Sequence, residues 1–287
     1  MSALDQIWRY GRLAVLTLLA AAVLNTCWLE PDSLRVTRYS LPLRHCPPAL
    51  AGLRIAVLAD LHAGAPFMDL DKLRQVVATT NATQPDMVLI AGDIFVQFVL
   101  GGHRLPPGDV AEVLGQLHAP LGVYAVLGNH DYSEQPRFQP ERYQQLLKQN
   151  GIVPIDNVAM PLSGANRHFW IAGFGDLHHG HPDVVRTLGD VPEGEPVIAL
   201  THEPDLFPDV PSRVNLVVAG HTHGGQVRLP FIGRPVVPSD FGQRYAAGHV
   251  VEQTDLFVTT GIGTSHLPVR FGVPPEISLL TLQPRAP

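Results

Sequence analysis

Five short apolar runs, each stopping on a side chain able to hold a metal, constrain this chain of 287 residues more than any other feature. Ile55-Ala-Val-Leu-Ala runs into Asp60-Leu-His62, Val88-Leu-Ile-Ala into Gly92-Asp93, and Tyr124-Ala-Val-Leu into Gly128-Asn129-His130-Asp131. Val197-Ile-Ala-Leu-Thr runs into His202, and Leu216-Val-Val-Ala into Gly220-His221-Thr-His223-Gly-Gly. Short continuous apolar runs bounded by turn signals suit buried strands. On an extended segment side chains two apart point the same way, so His221 and His223 are expected to face one point past the strand end. The flanking glycines let backbone crowd in close. A lone His-x-His is a weak signal, but five such strand ends are not chance.

The intervening segments carry helical spacing. Leu70, Leu73, Val76 and Val77 form one face before Pro85, and Asp109 is expected to cap a second helix with Val110, Val113, Leu114 and Leu117. A third covers Pro140–Gln149, with Tyr143, Leu146 and Leu147, and ends at Asn150-Gly151. Strand, helix, strand, helix, strand predicts a layered α/β fold with largely parallel strands, in which ligands bind beyond the carboxyl ends. After residue 151 the chain turns strand-rich. A second sheet is expected from Phe169–Phe174, Val197–Thr201, Leu216–Ala219, Leu256–Thr260 and Ile277–Leu282. With no internal repeat and no linker, residues 53–287 are expected to be one catalytic domain.

Upstream, residues 30–52 hold four prolines and one alternating stretch from Leu34 to Tyr39, expected to be a tether with an edge strand. Residues 1–29 contain Leu13–Leu29, free of formal charge, with Trp8 and Trp28 separated by about 30 Å of helix, close to the thickness of a bilayer core. That predicts an uncleaved membrane anchor. A cleaved signal peptide, with small residues at Ala20 and Ala22, and a soluble core helix are the rival readings. Arg9 and Arg12 before the segment and Arg35, Arg38 and Arg44 after it leave the orientation open. A hydrophobic share of 45% excludes general disorder, and a net charge of −6 argues against a nucleic-acid partner. Cys27 and Cys46 make no disulfide framework.

The candidate metal ligands are Asp60, His62, Asp93, Asn129, His202, His221 and His223. Seven exceed the four of a closed structural zinc site. They suit two divalent ions sharing one carboxylate. Two carboxylates and a bridging hydroxide would leave such a pair one net positive charge, enough to attract a phosphate anion. Ions about 3.5–4 Å apart lower the pKa of bound water and clamp the oxygens of an in-line displacement. Mn, Fe, Zn and Mg all remain open, because their oxygen and nitrogen ligand sets overlap. Ser265 lacks a Gly-x-Ser-x-Gly setting and no P-loop sequence is present, which disfavours those chemistries.

Asp-x-His, Gly-Asp, Gly-Asn-His-Asp, a lone His and Gly-His-x-His, in this order from Asp60 to His223, resemble the calcineurin-like metallophosphoesterase superfamily. The resemblance implies a four-layer α/β/β/α sandwich of two mixed sheets, here with one N-terminal apolar helix. It assigns Asp60, His62, Asp93 and His223 to a first metal and Asp93, Asn129, His202 and His221 to a second, with Asp93 as the bridge. A metal-bridged hydroxide would attack the phosphorus. His130 would contact the phosphate or protonate the leaving oxygen, and Asp131 stands where the family often has Glu. More narrowly, Gly220–Gln226, Gly261–Phe271 and Pro275–Ile277 resemble a bacterial branch with an N-terminal anchor or export signal. Some of its members hydrolyse UDP-2,3-diacylglucosamine. The expectation is therefore a phosphohydrolase at the bacterial inner membrane, or exported after cleavage, acting on a phosphodiester or pyrophosphate of a lipid-linked substrate. Hydrolysis of soluble nucleotides and a non-catalytic, metal-stabilised membrane scaffold are the alternatives.

Ile94–Leu100 reads either as an apolar lip or as a buried first helical turn, and Val227–Tyr245 as a specificity loop or a structural hairpin. Of Arg228, Arg234, Arg244 and Arg270, the last is the preferred substrate contact. His178, His179 and His181 are expected on a solvated loop.

Overall fold

Twelve strands in two sheets carry the fold in a computed structural model that describes residues 3–132, 140–164 and 166–285. In chain order they are β1 (Arg35–Leu43), β2 (Arg54–Leu58), β3 (Met87–Ala91), β4 (Val123–Val126), β5 (Val153–Pro154), β6 (Val158–Gly164), β7 (Arg167–Gly173), β8 (Val197–Leu200), β9 (Leu216–Ala219), β10 (Gly248–Val251), β11 (Asp255–Val258) and β12 (Glu276–Pro284). The first sheet runs β1-β12-β2-β3-β4-β5 and the second β10-β11-β9-β8-β7-β6. Both are mixed. β2, β3, β4 and β5 are mutually parallel, as are β7, β8, β9 and β11, whereas β12 opposes β2 and the outer strands β6 and β10 oppose their neighbours.

Strand β12 corrects the expectation for Ile277–Leu282. It lies in the first sheet, parallel to β1 and antiparallel to β2. Its alternate side chains explain the placement: Leu280 and Leu282 enter the core between the sheets, while Ile277 and Leu279 face the helical layer outside the first sheet.

The central strands are apolar on both faces because both are covered. Ile55 and Val57 join Leu89, Val126, Ile171, Ile198 and Val218 between the sheets, while Ala56, Leu58, Val88 and Ile90 pack outward. Each such side chain contributes roughly 1.5–3 kcal/mol when fully buried.

Helix α1 (Ala3–Leu24) continues through a π-helical turn, Asn25–Leu29, into α2 (Glu30–Asp32). It is long and apolar enough to cross a membrane, and none of its apolar stretch is buried against the described residues. Helices α3 (Leu70–Ala82), α4 (Pro107–Leu114) and α5 (Pro140–Gln149) cover the first sheet with Leu73, Val76, Val110, Leu114, Tyr143 and Leu147. Asp69 caps α3 by accepting from the Lys72 N–H at 2.8 Å. Asp109 does not cap α4. Pro107 opens that helix, its fixed φ and missing N–H suiting the position, and Asp109 lies inside the first turn. A short helix, α6 (Val184–Gly189), and a 3₁₀ segment, Pro204–Asp209, cover the second sheet.

Candidate active site

All seven candidate ligands leave the carboxyl ends of parallel strands: β2, β3 and β4 of the first sheet and β8 and β9 of the second. Five of them sit in left-handed backbone, Asp60 at φ 53°, His62 at 45°, Asp93 at 52°, His221 at 70° and His223 at 50°. Such conformations cost on the order of 1–3 kcal/mol each and collect where function over-determines them. They turn the chain sharply at the strand end and aim each side chain back into one cleft. His221 and His223 are thus not on an extended segment, and they serve different halves of the cleft. The close approach needs glycine: a Cβ on Gly128 would lie 2.4 Å from Asp93 Oδ1, and one on Gly220 2.6 Å from the Ala59 methyl.

Two groups of donor atoms meet at Asp93. In the first, Asp60, His62, Asp93 and His223 bring their ligand atoms within 4.8 Å of one another. His62 Nε2 lies 3.1 Å from His223 Nε2, and His223 Nε2 lies 3.6 Å from Asp60 Oδ1. In the second, His202 Nε2 and His221 Nδ1 are 3.2 Å apart, each 3.1 Å from Asn129 Oδ1. Asp93 Oδ2 reaches both, 3.5 Å from His62 Nε2 and 3.4 Å from His202 Nε2.

These separations fit cations. Ligand atoms about 2.0–2.2 Å from a tetrahedral ion stand roughly 3.4 Å from one another, whereas facing imidazole lone pairs repel. The contact between His202 Nδ1 and the Ala91 carbonyl, 2.7 Å, places one proton there and turns Nε2 to the cleft as the atom that can ligate once its own proton is displaced. The Nδ1 atoms of His62 and His223 are buried without a hydrogen-bond partner among the described residues.

The electrostatics agree. Burial pushes His62 and His221 down to about 3 and His223 well below its ordinary value, so all three are neutral donors at physiological pH. Burial would raise Asp93, but the charge and hydrogen bond of His202 hold its carboxyl well below the usual range. Burial also penalises charge on Asp60, and with Asp93 near it rises to about 7 against the pull of His202. On His202, burial is outweighed by Asp93, which raises the imidazole well above its ordinary value.

His130 stands beside this floor. Its ring meets that of His62 edge-on at 4.9 Å, its backbone N–H donates to Asp93 Oδ1 at 2.8 Å, and its Nδ1 has no partner among the described residues. Burial lowers its pKa.

Asp131 and Arg270 are placed otherwise than the sequence suggested. Asp131 is fully buried and accepts from the N–H groups of Gly128, Phe95 and Ile94 at 2.9, 2.9 and 3.2 Å. It ties the β3 and β4 loops together rather than touching His130. Arg270 is fully buried as well, its guanidinium donating to the carbonyls of Thr260, Gly263 and Val273 at 2.6–3.1 Å. Its fork is taken up by these carbonyls and holds a loop.

Arg244 pairs with Glu252 at 2.7 Å, and Arg234 donates to the Gly224 carbonyl at 2.8 Å. His178, His179 and His181 are exposed, His179 stacking on Tyr132. Ile94–Leu100 is neither helix nor uniform lip: Ile94, Phe95, Val96 and Val99 are buried, while Phe98 and Leu100 face solvent.

Two residues near the cleft escaped the sequence reading. Glu203 follows His202 and offers a carboxylate within 4.8 Å of His202 and His221 donors; burial raises it to about 9, and one of its oxygens has no partner among the described residues. His266 lies 6.0 Å from His130, ring to ring. Neither belongs to a strand-end motif. The floor opens into a cavity of about 720 Å³ whose lining beyond the floor is mostly apolar, with Val227, Val236, Leu267 and Val269 beside Gln226, Ser265 and His266.

The calcineurin-like phosphoesterase profile matches residues 53–225, the span from the first core strand through the last ligand. The uncharacterized metallophosphoesterase YkuE of Bacillus subtilis is 33% identical over 261 residues, 89% of this chain and 88% of its own. The phosphodiesterase YaeI of Escherichia coli is 31% identical over 241 residues, 81% of this chain and 83% of its own. The UDP-2,3-diacylglucosamine pyrophosphatase LpxG of Chlamydia trachomatis is 28% identical over 322 residues, 92% of this chain and 94% of its own. The profile match and these alignments, which cover the candidate ligands at the strand ends, make the chain a member of the calcineurin-like phosphoesterase family, a metal-dependent phosphohydrolase.

Proposed function

We propose that this chain hydrolyses a phosphodiester or pyrophosphate bond of a lipid-linked substrate at a membrane surface, using two divalent cations. The observation that carries this reading is the shared Asp93 oxygen beneath a cavity that is polar on its floor and mostly apolar beyond it. Asp60, His62, Asp93 and His223 would hold one cation, and Asp93, Asn129, His202 and His221 the other. When bound, such a pair supplies Lewis acidity and a nucleophilic water at neutral pH. His62, His221 and His223 enter as neutral donors with no proton to lose. The His130 imidazole lines the cavity beside the floor, where it can donate to a phosphate oxygen and deliver a proton to the departing one. Val227, Val236, Leu267 and Val269 offer an apolar surface to whatever follows the phosphate.

Two features favour a lipid-linked substrate. Helix α1 can span a bilayer, which keeps the cavity near lipid. LpxG, similar over nearly the whole chain, is named for a nucleotide-linked glycolipid, and UDP-2,3-diacylglucosamine is accordingly the first substrate to try. The test is an assay of the full chain in mixed micelles against that compound and bis(p-nitrophenyl) phosphate. Faster turnover of the lipid is expected. Cleavage of soluble diesters with every nucleotide-linked lipid left intact would remove the lipid assignment.

A further inference from the structure

The loops around the cavity mouth are joined to one another and to the end of α1. The Arg270 N–H donates to the Thr26 carbonyl at 3.0 Å, and the Val273 N–H to Glu30 Oε1 at 2.7 Å. Phe271 in turn pairs with the strand that starts the next loop, through Phe271 N to Gln226 O at 2.9 Å and Arg228 N to Phe271 O at 2.7 Å. That loop closes as a small hairpin, with Leu229 and Gly233 exchanging hydrogen bonds at 2.8 and 3.0 Å and Phe231-Ile232 at its tip. On the other side, the Leu100 N–H donates to the His266 carbonyl at 2.9 Å.

The residues this frame presents are apolar. Phe231 is fully exposed, Ile232 is 67% exposed, Phe98 65%, Leu100 60% and Leu267 54%; Trp28 and Leu29, where the span meets the frame, are exposed at 56% and 60%. Charge follows the same division. Segments 97–108, 224–238 and 261–273 contain no Asp or Glu in a chain of net charge −6, and they carry the exposed Arg104 and Arg228. Apolar tips beside arginines, with no carboxylate in these three segments and that of Glu30 taken up by the Val273 N–H and the Asn25 amide, match the acyl and phosphate layers of a membrane leaflet. A polar protein partner would not ask for a bare Phe-Ile hairpin continuous with a bilayer-spanning helix.

We propose that this collar, Phe231 and Ile232 with Phe98, Leu100 and Leu267, enters the leaflet from which α1 emerges and seats the cavity mouth on the headgroup layer. The substrate phosphoester then reaches the floor while its acyl chains stay in the bilayer. The inference rests on reading α1 as a membrane span.

The test places tryptophan in the full chain, reconstituted in vesicles of phosphatidylcholine and phosphatidylglycerol with brominated acyl chains. In a background with Trp8→Phe, Trp28→Phe and Trp170→Phe, which removes all three native tryptophans, emission from Phe231→Trp is expected to fall to about half or less, because bromine quenches only on contact within the acyl layer. Val185→Trp, on exposed α6, is expected to keep its emission. Equal quenching of both, or of neither, overturns the collar. A second variant, Phe231→Asp with Ile232→Asp, is expected to slow turnover of a vesicle-borne phosphoester about tenfold and to leave bis(p-nitrophenyl) phosphate at the parent rate. Equal loss on both substrates would also overturn it. Quenching at Phe231 in a protein that cleaves no lipid-linked phosphoester would retain the collar and remove the substrate assignment instead.

Discussion

The floor and the rim of one cavity are built on opposite principles. On the floor, seven polar side chains from five strand ends are packed 3.1–3.6 Å apart. Strained backbone and close-set glycines fix them. At the rim, loops joined by a few main-chain hydrogen bonds hold apolar side chains out to solvent. A floor of this kind tolerates no substitution because its chemistry depends on atoms within tenths of an ångström. A rim of this kind sets what reaches the floor and leaves the chemistry alone.

Asp93→Asn breaks the floor most completely. With the shared carboxylate gone, the variant should bind neither cation and turn over at background on soluble and lipid substrates alike. Elemental analysis beside the two assays checks this, and a variant that kept one full-affinity ion would weaken the bridging role. His130→Ala sharpens the same region: both cations should remain while turnover falls by about 10²–10⁴-fold, the usual share of a proton-transfer group. Unchanged turnover would favour a metal-stabilised scaffold.

Acidity offers the next contrast. Because burial and the nearby Asp93 raise Asp60 to about 7 and Asp93 raises His202 well above its ordinary value, a cation entering below pH 7 must displace protons from both. His62 and His221, near 3, have none to give. Apparent metal affinity should therefore rise at least about tenfold per pH unit from 5 to 7, with proton release visible when calorimetric titrations are compared across buffers. The smallest effect belongs to Arg270→Met and Asp131→Asn. Each should lose about 1–3 kcal/mol of stability, through orphaned carbonyls or amides, and lower Tm. For Arg270→Met, KM should stay put; a large rise in KM would return Arg270 to the substrate.

The same contrast separates what the sequence disclosed from what it hid. Divalent-metal chemistry admits few residue types, and parallel strands deliver them at one edge, so Asp60, Asp93, Asn129 and His202 stand out in the chain as Asp, Asn or His after apolar runs. Their conformation did not. An extended His221-x-His223 is the default for a strand, and only packing against Gly220 and the neighbouring loops forces both into left-handed backbone and into different donor groups. Strand β12 looked like a late member of the second sheet because sequence order usually follows spatial order; its return between β1 and β2 is a tertiary event that no local pattern encodes. Arg270 had the composition of a phosphate ligand, and only the three carbonyls around it reveal a buried clasp. Of the rim, the sequence disclosed apolar residues at Phe98 and Phe231 but not that both are held out to solvent.

The most direct measurement is metal stoichiometry against turnover. Full-chain protein stripped with chelator and titrated with Mn or Zn should regain phosphodiester hydrolysis only as the second ion per chain is bound. Full activity at one ion, or activity that survives stripping, would contradict a floor organised around a shared Asp93.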